Sequence, residues 1–228
     1  MGEYPVTGSA DGYPSVPHDR LLADGWELRS KRERTVFRMP GMEVTGRTLL
    51  YDDADLRAAI EAAGVAAIVG DAEVYDRVGD DGDGGSWRFF FATALSFRPP
   101  LAPMVGTASI RPTVARQARR TFVDELEGRG FEGVESGRRE RVRTESGDRT
   151  RLRQFTAHLP IAAERGPKRI DAEGWLAVWV TDGSFRIAGG AYPTHGLEAR
   201  LDAVGVRTPR IDRVYLRDEL IELIRAVR

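Results

Sequence analysis

The dipeptide Asp182-Gly183, set between the runs Trp175–Thr181 and Ser184–Ala191, constrains this chain more than any other feature. Both runs carry β-branched and aromatic residues. A two-residue Asp-Gly link matches the right-handed twist of two antiparallel strands, so the segment is predicted to be a β-hairpin. Two other segments have the same form. Trp26 to Met39 turns at Pro40-Gly41 and returns through Met42 to Asp52, and Phe131 to Thr144 returns through Arg149 to Pro160. The aromatic stretch Trp87–Phe97 is a further buried strand, broken by Pro99, Pro100 and Pro103.

Helical spacing is found in three places. Asp53 suits an N-cap ahead of Leu56, Ile60 and Ala63, with Gly64 closing the helix. Thr113–Gly128 puts Val114, Ala118, Phe122 and Leu126 on one stripe with arginines opposite, and Arg217–Val227 stacks Leu220, Leu223, Ile224 and Val227. Hairpins flanked by helices, without strand–helix–strand alternation, predict an α+β fold: an antiparallel sheet with helices packed on one face.

Residues 1–17, interrupted by Gly, Pro and Ser, are expected to form a flexible tail. Beyond them the chain echoes itself. Asp19, Leu21, Gly25, Trp26 and Glu27 return as Asp124, Leu126, Gly130, Phe131 and Glu132, and Arg32-Glu33-Arg34 returns as Arg139-Glu140-Arg141. Two related lobes, 18–110 and 111–228, or one domain with a shared core, fit this pattern.

Apolar residues at 41% and charged residues at 30% suffice for a core without staples. The chain has no cysteine, which excludes disulfides, thiolate zinc sites and a cysteine nucleophile. No apolar run approaches the ~20 residues of a membrane span, and the first residues hold no apolar signal core, so a cytoplasmic location and no membrane partner are expected. Charge is uneven. Residues 1–100 carry 11 basic and 17 acidic side chains and residues 101–228 carry 23 and 18, which permits head-to-tail self-association.

Chemical signatures are sparse. His18, His158 and His195 fall in no metal-binding or hydrolase pattern, and no phosphate-cradling glycine loop follows a strand. Asp80, Asp81 and Asp83 resemble a calcium loop, but counting from Asp81 its closing Glu would fall on Ala92. Gly189-Gly190 is placed at a strand end, as a bulge or tight exit. No cofactor and no metal are therefore expected, and a non-catalytic role is favoured. An enzyme would need His158 or His195 in a pocket beside a carboxylate.

Two surfaces remain. Alternation puts Arg139, Arg141 and Arg143 on one face of their strand, and Arg149, Arg151 and Arg153 on one face of theirs. A three-residue loop, Ser146-Gly147-Asp148, would set arginine opposite arginine, an unfavourable pairing that implies an anionic partner such as nucleic acid. A two-residue Ser146-Gly147 loop would pair Glu140 with Arg153 and Val142 with Arg151, splitting the arginines between faces; this register is expected because it avoids the repulsion. The second surface is the apolar loop of Pro99, Pro100, Leu101 and Met104, a candidate contact for a protein partner. The sequence thus favours a binding or protein-interaction module, with nucleic-acid binding and a histidine enzyme as alternatives.

Overall fold

The structure, a computed structural model, describes residues 11–39, 41–64, 68, 87–100, 106–162, 168–207 and 211–228. In chain order it contains α1 (His18–Ala23), β1 (Trp26–Met39), β2 (Met42–Asp53), α2 (Ala54–Ala63), β3 (Phe89–Arg98), α3 (Thr107–Gly128), β4 (Glu132–Arg143), β5 (Arg149–Pro160), β6 (Arg169–Thr181), β7 (Ser184–His195), α4 (Leu197–Ala203) and α5 (Arg213–Ala226). The fold is α+β. All seven strands join one antiparallel sheet in the order β1-β2-β3-β7-β6-β5-β4. The two sequence halves therefore meet in one sheet, through the β3–β7 pairing.

Helices cover both faces of the sheet, not one as expected. Phe89, Leu176, Ile187 and Ala191 pack under α2, α3 and α4, through Leu56, Ile60, Val114, Phe122, Leu197 and Leu201. Their strand neighbours Phe90, Trp175, Ala177, Ala188 and Tyr192 pack on the opposite face with Leu21 of α1 and with Leu216, Leu220 and Ile224 of α5. The physical reason is that the central strands are apolar at both odd and even positions, so neither face can be left wet. The first of these faces is called the α3 face below, and the second the α5 face.

Helix ends follow capping chemistry. Asp53 accepts from the Leu56 amide at 2.9 Å, and Asp212 caps α5 through the amides of Val214 and Tyr215. Helix α3 begins earlier than its apolar stripe predicts, with Pro112 inside its second turn. The N-terminal segment is docked from Pro14 onward: Val16 is buried, and Ser15 and Arg228 exchange two backbone hydrogen bonds of 2.9 Å. The expected tail up to Pro17 is shortened accordingly; residues 1–10 lie outside the described residues.

Gly189 and Gly190 sit inside β7, not at its end. They pair with Phe91 and Phe90 on one side and with Leu176 and Trp175 on the other. A Cβ on Gly189 would stand 2.6 Å from the Trp175 carbonyl oxygen, and one on Gly190 would collide with that of Phe89. Backbone crowding at the centre of the sheet, not a bend, selects glycine here.

Read from β7 outward, three strands lie on each side, and β1 and β4 run in the same direction. A two-fold axis along β7 would exchange β1–β3 with β4–β6 and one face with the other. Leu21 and Trp26 lie on the α5 face while their echoes Leu126 and Phe131 lie on the α3 face, as such an exchange requires.

Candidate functional site

The β4–β5 register is neither of the two considered from sequence. Arg139 lies across from Arg153, Arg141 from Arg151 and Arg143 from Arg149, while Glu140 faces Leu152 and Val142 faces Thr150. The expected split of the arginines is overturned. Its cause is a longer turn, Thr144 to Asp148, fixed by its own side chains. The Thr144 amide donates to the Asp148 carbonyl at 2.9 Å, the Asp148 amide donates to Thr144 Oγ1 at 3.0 Å, and Ser146 donates to the Asp148 carboxylate. Helix α5 holds the turn as well: the Glu145 amide donates to the Arg225 carbonyl, and Arg225 Nε to that of Arg143. Turn hydrogen bonds set the register, and the repulsion follows from it.

The six arginines project onto the α3 face, beside Phe155 and Ala157 on the same strand parity. Across from them α3 presents Arg111, Arg116 and Arg119 to the same groove. Helix and hairpin enclose an open groove of about 1070 Å³ lined by these nine arginines together with Ala, Pro, Val, Thr and Leu; among the described residues no acidic and no aromatic side chain lines it. Sequence spacing places the α3 arginines only opposite the apolar stripe; that α3 lies alongside β4–β5 is a tertiary fact without a local signal.

The acids of this region face elsewhere. Glu140 turns to the α5 face, where it accepts both of its hydrogen bonds from Arg217, at 2.8 and 2.9 Å, and pairs with Arg138. Arg138 and Arg217 lie over the Trp175 ring there. Among the described residues no carboxylate comes within ion-pair distance of any of the nine groove arginines. Three donate only to backbone carbonyls: Arg111 to Val178, Arg143 to Gly147 and Arg153 to Gly137. Burial, and then the positive charge of Arg139 and Arg119, holds the Arg153 guanidinium below its usual pKa. The groove is a preformed field of positive charge with donors in excess.

The other candidates are dispersed. His158 lies between Glu132 and Asp171 in the sheet, its ring against Gly133. His195 lines an open recess with Glu198 and Asp202, yet among the described residues its ring makes no hydrogen bond to either. His18 lies 3.1 Å from the Tyr51 hydroxyl. Of the apolar loop, Pro99 and Pro100 are exposed, and Leu101 and Met104 lie outside the described residues, as do Asp80, Asp81 and Asp83. Among the described residues no cluster of three metal-ligating side chains occurs, and no helix is long and apolar enough to cross a membrane.

Sequence reasoning also missed two buried polar clusters on the α5 face. The Glu173 carboxylate accepts from Tyr192 at 2.8 Å, Trp175 at 2.9 Å and Arg213 at 2.7 Å. Burial pushes its pKa up, but those donors outweigh it and hold the group below the usual carboxylate value, while burial raises Tyr192. Arg88 bridges Asp53 and Glu219, and Trp26 donates to Glu219 at 3.1 Å. Glu173, Arg88 and Glu219 each join side chains from two or more elements, which is the pattern of structural ties.

Over residues 13–228 the chain matches the model of a family described only as a domain of unknown function, DUF6517, and it belongs to that family. No curated protein matches it in sequence.

Proposed function

We propose that this chain is a non-catalytic binding module whose α3/β4–β5 groove takes the phosphate backbone of a nucleic acid. The observation that carries the reading is the alignment of Arg139, Arg141 and Arg143 with Arg153, Arg151 and Arg149, completed by three α3 arginines and unanswered by any carboxylate among the described residues. Directly opposed like charges cost roughly 0.2–1 kcal/mol a pair, so the folded chain carries a standing debt that a polyanion relieves. Arginine is suited to phosphate because its planar fork donates two parallel hydrogen bonds and it never loses its charge. Among the described residues the groove has no aromatic side chain on which a base could stack. Binding is therefore expected to be independent of sequence, through counterion release, with Kd on the order of 10⁻⁴–10⁻⁶ M at physiological salt. A cytoplasmic location belongs to this proposal.

The test is fluorescence anisotropy of labelled single-stranded and duplex oligonucleotides over a salt series, with wild type beside an Arg141→Ala/Arg143→Ala/Arg151→Ala variant. A wild-type affinity that falls steeply with salt and is lost in the variant supports the reading. No binding at low salt ends it. Displacement by poly-glutamate as effective as by oligonucleotide would transfer the groove to an acidic protein partner, the other class of interaction that the sequence favours.

A further inference from the structure

The arginines of the groove form a ladder of regular pitch. The β4–β5 register is unbroken from Arg139 to Arg143, both of its irregularities lying nearer the start of β4. Arginine pairs two residues apart therefore stand as three rungs spaced about 6.8 Å, over a length of about 14 Å. Along α3, Arg111 to Arg119 cover about 12 Å of the same groove. Arg153, held below its usual pKa by burial and then by the charges of Arg139 and Arg119, marks the rung where hairpin floor and helix wall meet. Taking the nucleic-acid reading of this groove as the premise, we infer that its ligand is a single strand, bound three phosphates at a time with its backbone extended and its bases turned outward.

The pitch is that of an extended sugar–phosphate chain. A peptide has three backbone bonds per residue, so six lie between one arginine and the next on the same face. Six bonds of similar length also lie between successive phosphorus atoms of a nucleic-acid strand. Drawn out, such a strand repeats its charge every ~6.8 Å, one phosphate to a rung. In a duplex the same strand coils, and three successive phosphates turn through about a fifth of the helix, with the partner strand behind them. A ladder walled by a helix along its flank follows the extended chain and not the coiled one. Between its arginines α3 turns Ala108, Pro112 and Ala115 to the groove, short apolar side chains against which sugar carbons can lie. An inorganic polyphosphate has no such carbons. Among the described residues nothing aromatic lines the groove, so the bases find no stacking partner inside it and face water.

The experiment is fluorescence anisotropy at low salt with the whole chain. The probes are labelled oligothymidylates of about 2 to 12 nucleotides, a strand of about 8 abasic nucleotides and a duplex of about 12 base pairs. Affinity is expected to climb steeply up to about 4 nucleotides, whose three internal phosphates fill the rungs, and then only in proportion to the number of sites. For the longer strands the slope of log K against log salt should settle at about −2. The abasic strand should bind within about threefold of an oligothymidylate of equal length, and the duplex at least about tenfold more weakly. Arg116→Ala/Arg119→Ala, on the helix wall, should weaken the single strand at least about tenfold. Arg116 is exposed, so Arg116→Glu alone serves if the double variant fails to fold by circular dichroism. A duplex bound as tightly as the single strand, or affinity that still climbs steeply beyond about 6 nucleotides, overturns the extended strand. An abasic strand bound more than about threefold weaker overturns the outward bases. Absence of binding by every probe ends the nucleic-acid reading itself, a failure distinct from either.

Discussion

At one edge of the sheet Glu33 stands across from Arg47, with 3.1 Å between their charged groups, and Arg38 from Glu43. At the other edge Arg141 stands across from Arg151, with an arginine pair on either side. The two hairpins share their architecture, a helix–Gly–aromatic entry with Gly25 and Gly130 both at positive φ, and an Arg-Glu-Arg triplet. In the first the carboxylates share the strands' charged positions: Asp52 is buried between Arg29 and Arg57, and Arg57 also pairs with Glu27 and Glu61. In the second the only acid of the triplet, Glu140, is turned through the sheet to Arg217. The difference teaches that charge composition does not decide whether a hairpin is neutral; register and strand parity do.

The largest effect should come from the paired half. Arg88 bridges the buried carboxylates of Asp53 and Glu219, so Arg88→Ala strands both and is expected to lose about 3–5 kcal/mol in urea unfolding. A loss below about 1 kcal/mol would mean that the ties of this half are ornamental. Next, Arg141→Glu with Arg151→Glu should weaken oligonucleotide binding at least about 100-fold in anisotropy, while the same reversal at Arg38, on the other hairpin, leaves it unchanged within about twofold.

Glu173 gives the groove's half one buried carboxylate of its own. Its folded pKa lies below the usual value, so its contribution is present above the unfolded pKa of about 4.3 and fades as pH falls through the folded value. Glu173→Gln is therefore expected to be about 1–3 kcal/mol less stable than wild type at pH 7, with the gap narrowing below about pH 4 in thermal melts. A gap that stays constant with pH would show that the carboxylate's charge is irrelevant. The smallest effects have opposite signs. Arg141→Thr, opposite Arg151, should stabilise by roughly 0.2–1 kcal/mol, and Arg47→Thr, opposite Glu33, should destabilise by a similar amount. Equal signs in chemical denaturation would erase the contrast between the hairpins.

Much of the fold was legible because its turns carry their own chemistry. Pro40-Gly41 and Asp182-Gly183 locate two hairpins to the residue, and the Asp53 cap marks the start of α2. The second covered face is also present in the sequence, in the unbroken runs Phe89-Phe90-Phe91 and Trp175–Trp179, but a hairpin pattern by itself predicts helices on one face alone. The candidate site was half legible. The arginines stood out on β4 and β5, whereas their alignment hangs on the side-chain bonds of Thr144, Ser146 and Asp148, which outweigh a cross-strand repulsion of similar size. The α3 arginines and the Glu173 cluster join residues from distant elements. No spacing in one segment encodes such meetings.

One feature of the sheet reaches into kinetics. Every strand pairing but one joins neighbours in the chain; β3 and β7 alone, through the six pairs from Phe89–Ala191 to Ala94–Arg186, bring together residues about one hundred positions apart. Ordering so long an intervening chain is slow, so this seam should close last during folding. Until it does, β3 and β7 both expose unsatisfied edges of matching register, and a second molecule offers the same two edges. At high concentration the route of least resistance is then an exchange of β1–β3 between two copies, yielding a dimer with every native pairing intact.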